Sequence, residues 1–358
     1  MRLTHREKKV LWGLIKWPES TDAELAEKLS LPRSTVTTIR RRLRAGGLYF
    51  THLIPNLAAL GCEIITALYG EFHPSESSRQ KKKNSWDIID KVRKKLDYNF
   101  FTVHMNGHHA SLSAAKDFHQ VKQHVEKHHE VFHEEGFYSP QRHNFVLFPI
   151  RLCAIQRFFD HAPLLARHFG FSHLHEKNIK LHDLPSSPPT TSLKLNKTDR
   201  KVFYTMVSHP DENDRQIAQR LNITRQTVFT VRNRLYRNGL IRRINIPNLR
   251  ALGFELLVFA HLHLSPHAPL EKRKHDIQKL LQDASHILKI SGNLESILIS
   301  VYRNYLHFQR SYDTLRRYYR SQGYLIEDPQ IKVFPLHEDS ISLEYNFAPL
   351  LGKVLEVV

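Results

Sequence analysis

The first half of this chain is written again in the second. Leu3 to Pro74 aligns with Leu195 to Pro266 without gaps at a constant offset of 192, and about a third of the positions are identical. The offset shortens in the loop from Ser75 to Asn84, which holds Lys81-Lys82-Lys83. It settles at 186, where Phe148-Pro149 matches Phe334-Pro335 and Ala162-Pro163-Leu164-Leu165 matches Ala348-Pro349-Leu350-Leu351. A doubled unit must repeat one fold, so the chain is expected to be one module used twice. The stretch from Asp183 to Ser192, rich in Pro and Ser, reads as an extended linker between the copies.

Each copy opens with local helix signals. Thr4 and Glu7 form a capping box before Val10, Leu11, Leu14 and Ile15, and Pro18 ends that helix. Thr21 and Glu24 form a second box, and Asn213 with Gln216 occupy its place in copy two. A short turn then leads to a helix over 32–45, repeated over 224–237. Val36, Ile39 and Leu43, like Val228, Val231 and Leu235, fall at helical spacing and predict a buried stripe. Gly47 and Gly239 stand where a left-handed residue closes a helix. Leu48 to Ile54 and Leu240 to Ile246 read as a short hairpin or wing. Three helices and a wing make a winged helix-turn-helix.

The remainder of each copy changes period. The expected order is strand (Cys62–Phe72, Glu255–Leu264), helix (Trp86–Leu96, His275–Leu281), then a hairpin through Gly107 or Gly292. A long helix (Phe118–Glu135, Tyr305–Ser321) and a last strand (Asn144–Ile150, Ile331–Leu336) follow. That is the ferredoxin-like βαββαβ pattern. The expected class is α+β, a tandem repeat of winged helix-turn-helix and ferredoxin-like domain. The boundaries read as 1–60, 61–182 with a helical extension, a linker over 183–193, then 194–252 and 253–358.

Charge follows the same division. The net charge is +18, and residues 1–52 and 194–250 carry +6 and +9 of it. Cationic charge concentrated in two short stretches is the footprint of nucleic-acid-binding modules. No apolar run is long enough to span a bilayer and no signal peptide is evident. The two cysteines, Cys62 and Cys153, read as small core residues of a reduced, intracellular protein.

These residues resemble the Lrp/AsnC family of bacterial and archaeal transcription regulators. Carrying the resemblance are Ser34-Thr35-Val36, Arg40-x-Arg42-Leu43, Gly47-Leu48 and Ile54-Pro55-Asn56-Leu57-x-x-Leu60-Gly61. Their repeats are Gln226-Thr227-Val228, Arg232-x-Arg234-Leu235, Gly239-Leu240 and Ile246-Pro247-Asn248-Leu249-x-x-Leu252-Gly253. The family carries one module per chain; this chain carries two. The resemblance implies an intramolecular pseudo-dimer, with a homodimer of such chains also open. It implies a DNA-binding regulator of the cytoplasm and nucleoid, not an enzyme, with double-stranded DNA as partner, an effector left unidentified and no cofactor.

The DNA-contacting residues expected in copy one are Arg33, Ser34, Thr35, Thr37, Thr38, Arg40, Arg41 and Arg44. In copy two they are Arg225, Gln226, Thr227, Thr230, Arg232, Asn233 and Arg237, with Arg242 and Arg243 in the wing. Their forks, amides and hydroxyls match phosphates and base edges. Arg42 and Arg234 read equally as inward braces. Other readings stay open. The 25 histidines cluster around His104, His108 and His109 and along the next helix. His124 and His128, one turn apart, are candidates for a metal-responsive site. Lrp-like proteins also include siroheme decarboxylases, enzymes that use His and Arg around a tetrapyrrole. A non-specific chromatin-like protein is the third reading.

Overall fold

The computed structural model describes residues 3–71, 73–74, 91–92, 94–105, 108–138, 143–171, 195–273, 285–337 and 341–357. The Lys81-Lys82-Lys83 loop, residues 86–90 and 93 of the first crossover helix, Gly107, the helix expected over His275–Leu281 and the linker Asp183–Ser192 lie outside them.

The helical heads form as their local signals dictate. Copy one gives α1 (His5–Lys16), α2 (Asp22–Leu29) and α3 (Arg33–Ala45). The Thr4 amide donates to Glu7 at 2.8 Å and the Glu7 amide to Thr4 at 3.3 Å. Thr21 and Glu24 repeat that exchange at the start of α2. On α3, Val36, Ile39 and Leu43 are buried, each worth about 1.5–3 kcal/mol. Gly47 follows with φ +61°, a left-handed conformation that an L side chain resists. The wing is one strand, β1 (Tyr49–Pro55), and not a hairpin.

Copy one continues through β2 (Ile64–Glu71), β3 (His73–Pro74), β4 (Asn99–Met105), β5 (His108–Ala115) and α4 (Phe118–Glu134). Then come β6 (Phe137–Tyr138), β7 (Asn144–Pro149), β8 (Ala154–Gln156) and α5 (Ala162–Phe169). Copy two gives α6 (Lys197–Ser208), α7 (Asp214–Leu221), α8 (Arg225–Arg237), β9 (Ile241–Pro247) and β10 (Leu256–His263). It ends in β11 (His286–Ser291), β12 (Glu295–Tyr302), α9 (Tyr305–Ser321), β13 (Gln330–Pro335), β14 (Ser342–Tyr345) and α10 (Ala348–Leu355).

The described chain falls into two compact units. One draws on Met1–His52, Cys153–Leu184 and Arg243–His337; the other on Leu53–Leu152, Pro185–Arg242 and Glu338–Val358. The first unit contains the five-stranded sheet β13-β10-β12-β11-β8, the second the sheet β14-β4-β5-β2-β7. In each, four strands take the ferredoxin-like order and the fifth comes from the other copy. Ile155 of β8 pairs antiparallel with Ile290, and Leu343 of β14 with Val103. In the first unit α5 packs on α1, and in the second α10 packs on α6.

The α+β class and the doubled winged helix-turn-helix and ferredoxin-like architecture are therefore present. No helix among the described residues is long and apolar enough to cross a membrane.

Candidate ligand site

On α3, Arg33, Ser34, Thr37, Thr38, Arg41 and Arg44 are exposed and Thr35 is half-buried. On α8, Arg225, Gln226, Thr230 and Arg237 are exposed, while Thr227, Arg232 and Asn233 are half-buried, as are Arg242 and Arg243. Several of these groups already serve their own head. Arg40 is ion-paired with Asp22 at 3.0 Å and donates to the Ser20 carbonyl. Arg232 pairs with Asp214 at the same place in copy two. Thr37 donates to Asp22 at 2.7 Å, and Thr227 meets the capping hydroxyl of Thr224 at 2.8 Å. The Arg243 backbone amide donates to Glu19 of the other copy's head, which leaves its guanidinium uninvolved in that bond.

Arg42 and Arg234 act as braces. They pair with Glu7 and Asp199, carboxylates 3% and 2% exposed that also close the capping boxes of α1 and α6. A carboxylate that deep needs a cation beside it.

A group of cations around a large hollow lies elsewhere, in the first unit. A cavity of about 860 Å³ opens between α5, the start of β11 and the start of α9. This is within the range of roughly 300–1,000 Å³ usual for ligand sites. Arg167, Arg303 and Arg310 line it with His168, His286 and His307, against apolar surface from Leu164, Phe254, Leu306 and Leu315. The arrangement follows from helix geometry. Asn304 caps α9 by accepting the His307 amide at 2.8 Å, which fixes the first turn. His307 and Arg310, three residues apart on α9, share one face, and Arg303 stands just ahead of the cap. Arg303 and Arg310 meet no carboxylate at ion-pair distance among the described residues.

The imidazoles are set by their surroundings. His168 stacks near Phe254, with ring centres 4.6 Å apart. Burial, with Arg303 beside it, lowers its pKa to about 4, so it is neutral near pH 7. The buried ring of His286 hydrogen-bonds through Nδ1 to the Ser300 hydroxyl at 2.7 Å, and Arg157 holds its carbonyl at 3.1 Å. His307 meets Tyr302 edge-on. The result is a pocket with three arginines, a neutral imidazole at His168, one carboxylate at Glu255 and apolar side chains, suited to a partly apolar polyanion. Sequence reasoning missed these residues. Their signal was the polar stripe on α9 beside its apolar face.

The histidine-rich region lies in the second unit and packs as core. His109 and His128 are 2% and 1% exposed, and both titrate well below the usual histidine value because burial penalises the charged ring. Burial likewise lowers His104, His124 and His143 to about 4. The two metal candidates face different neighbours. His124 lies flat on Tyr98, with centres 3.9 Å apart, while His128 stacks on Phe132 at 4.5 Å. A smaller cavity of about 350 Å³ adjoins the cluster, with His104, His109, Phe100 and Phe132 in its wall.

No protein-family model matches the chain, and no curated protein matches it. Among solved structures the chain is similar to the siroheme decarboxylase NirDL in complex with an iron-uroporphyrin III analogue. That match has 8% identity, covers 99% of each chain and has a TM-score of 0.51. It is also similar to E. coli AsnC, at 14% identity over 41% of this chain and 95% of that one, with a TM-score of 0.30. An AsnC-family transcriptional regulatory protein from Pyrococcus furiosus matches at 17% identity over 42% and 90%, with a TM-score of 0.31. The expectation of a DNA-reading regulator that is not an enzyme is overturned by the first of these. A protein whose architecture matches 99% of this chain is an enzyme, so a doubled module with two helix-turn-helix heads does not by itself mark a regulator. The chain has the fold of an Lrp/AsnC-like module, winged helix-turn-helix followed by ferredoxin-like domain, written twice in one polypeptide.

Proposed function

We propose that this chain is an enzyme that binds an iron tetrapyrrole bearing several carboxylates and removes one or more of them as CO₂. The observation that carries the reading is the Arg167, Arg303 and Arg310 cavity with its three histidines. The whole-chain likeness in fold to a siroheme decarboxylase supports it. Guanidinium forks bind carboxylates in pairs of hydrogen bonds, and the apolar wall takes the ring face.

When a carboxylate leaves as CO₂, its bonding electron pair stays on the carbon that held it. One proton must reach that carbon, so an acetate side chain becomes a methyl group. His168 is assigned as its donor. Burial and Arg303 keep it neutral near pH 7. A polycarboxylate bound to Arg303 offsets that cation and raises the histidine pKa. Substrate binding thus lets His168 take up a proton from solvent, and the charged ring can deliver it to the carbon as CO₂ departs.

The test uses full-length protein, with siroheme and iron uroporphyrin III as ligands. Saturable change in the tetrapyrrole absorption band and products lighter by whole CO₂ units are expected. Absence of both would overturn the reading. Binding without CO₂ loss would retain the site and remove the reaction.

A further inference from the structure

A second ligand-type cluster lies at the far end of β10 in the first unit. His261 and His263 are two residues apart on one strand and so face the same side of the sheet. Glu295, first residue of β12, stands directly opposite His263 in the antiparallel register. The metal-type donor atoms of the three residues all lie within 4.8 Å of one another, the one group of three or more such ligands among the described residues. His261 Nε2 is 3.4 Å from a Glu295 oxygen. Zinc bonds of about 2.0–2.1 Å in a tetrahedron place neighbouring ligands about 3.3–3.4 Å apart, so this edge already has the required length.

The surroundings favour an ion as well. His261 is 4% exposed, so an ion held there would be shielded from water on that side. Glu327 takes Nδ1 of His263. That leaves Nε2 for the ion and adds the carboxylate that metal-bound imidazoles usually have behind them. The segment carrying Glu327 is pinned there, since Ile326 donates to the His263 carbonyl at 3.1 Å and Leu264 bridges to Leu325. Copy one has Tyr69 and Glu71 at the positions of His261 and His263, so the cluster belongs to the second copy alone.

We propose that His261, His263 and Glu295 bind one divalent zinc-class cation, with Glu327 orienting His263. The ion would tie the ends of β10 and β12 to the segment that follows α9. The proposal is independent of the tetrapyrrole reading.

The experiment takes untagged, chelator-stripped full-length protein and titrates Zn²⁺ against a chromophoric chelator, with Co²⁺ as spectroscopic probe. Wild type is expected to hold one competing equivalent of zinc and to give intense tetrahedral cobalt bands. His261→Gln and Glu295→Gln should each abolish the competing equivalent, and Glu327→Gln should weaken it about 10–100-fold. Wild type that holds no zinc, or that shows no tetrahedral cobalt spectrum, overturns the proposal. So does zinc retained at full affinity by the Glu295 variant, which sits at a half-exposed strand end and leaves the core intact.

Discussion

Asn248 donates its side-chain amide to the carbonyl of Gly47, 3.0 Å away and 201 residues earlier in the chain. Its backbone amide meets the Leu48 carbonyl at 2.9 Å, and its side-chain oxygen accepts from Ala251 at 3.1 Å. In the other unit Asn56 repeats this on Gly239 and Leu240, at 3.2 and 2.8 Å. The Asn of each Ile-Pro-Asn run thus fastens the end of the other copy's third helix. Asn248→Ala is expected to cost about 1–3 kcal/mol, the usual penalty for stranding polar partners. Asn248→Asp keeps the acceptor but loses the donor, and should fall between the two. Urea unfolding measures both, and an Ala variant as stable as wild type would remove this role.

Arg303→Ala and Arg310→Ala should each weaken tetrapyrrole binding about 10- to 100-fold, the range for losing charge-assisted hydrogen bonds. Neither should move the melting temperature, since both side chains are exposed at the cavity. Arg40→Ala should do the reverse, because its partner Asp22 belongs to the same helical head. Spectral titration beside thermal melts separates the two classes. Equal affinity in wild type and both cavity variants would place the ligand elsewhere.

Acid should destabilise the histidine-packed unit. His109 and His128 are held well below, and His104, His124 and His143 near 4, chiefly by burial. Unfolded, each returns to about 6.5. Between those values the unfolded chain binds more protons, so stability rises with pH. The contribution is complete above about pH 6.5 and drains away as pH falls toward 4. Denaturant midpoints across that window are the measurement, and a flat profile would contradict it.

Much of the fold could be read locally. Thr4 with Glu7, Thr21 with Glu24 and Asn213 with Gln216 are contacts three residues apart, so sequence spacing is enough to place them. The stripe of Val36, Ile39 and Leu43 is equally local. The exchange of β8 and β14 between the copies could not be read. It pairs residues over a hundred positions apart, and a short edge strand carries no mark of its partner. The cavity was not read from the sequence. His307 and Arg310 lie on one helix, but the approach of Arg167 and His168 on α5 depends on tertiary packing.

Lys289 is 1% exposed and donates to the Tyr319 hydroxyl at 3.0 Å. Burial, aided by Arg273 nearby, pushes it down to about 7. The unfolded lysine binds its proton up to about 10.4, so stability should climb as pH rises from about 7 toward 10. Lys289→Met should flatten that climb and raise stability at pH 7. A steeper dependence in the variant, by calorimetry, would reverse the assignment.

Because β8 completes the sheet that contains β11, and β14 the sheet that contains β4, neither half of the polypeptide is self-sufficient. A protein shortened to one copy would display a bare hydrogen-bonding margin and would have to borrow the missing strand from a second molecule. With both copies in one polypeptide, each sheet gains its fifth strand from within the chain, and the Arg303 cavity is walled by helices of both copies.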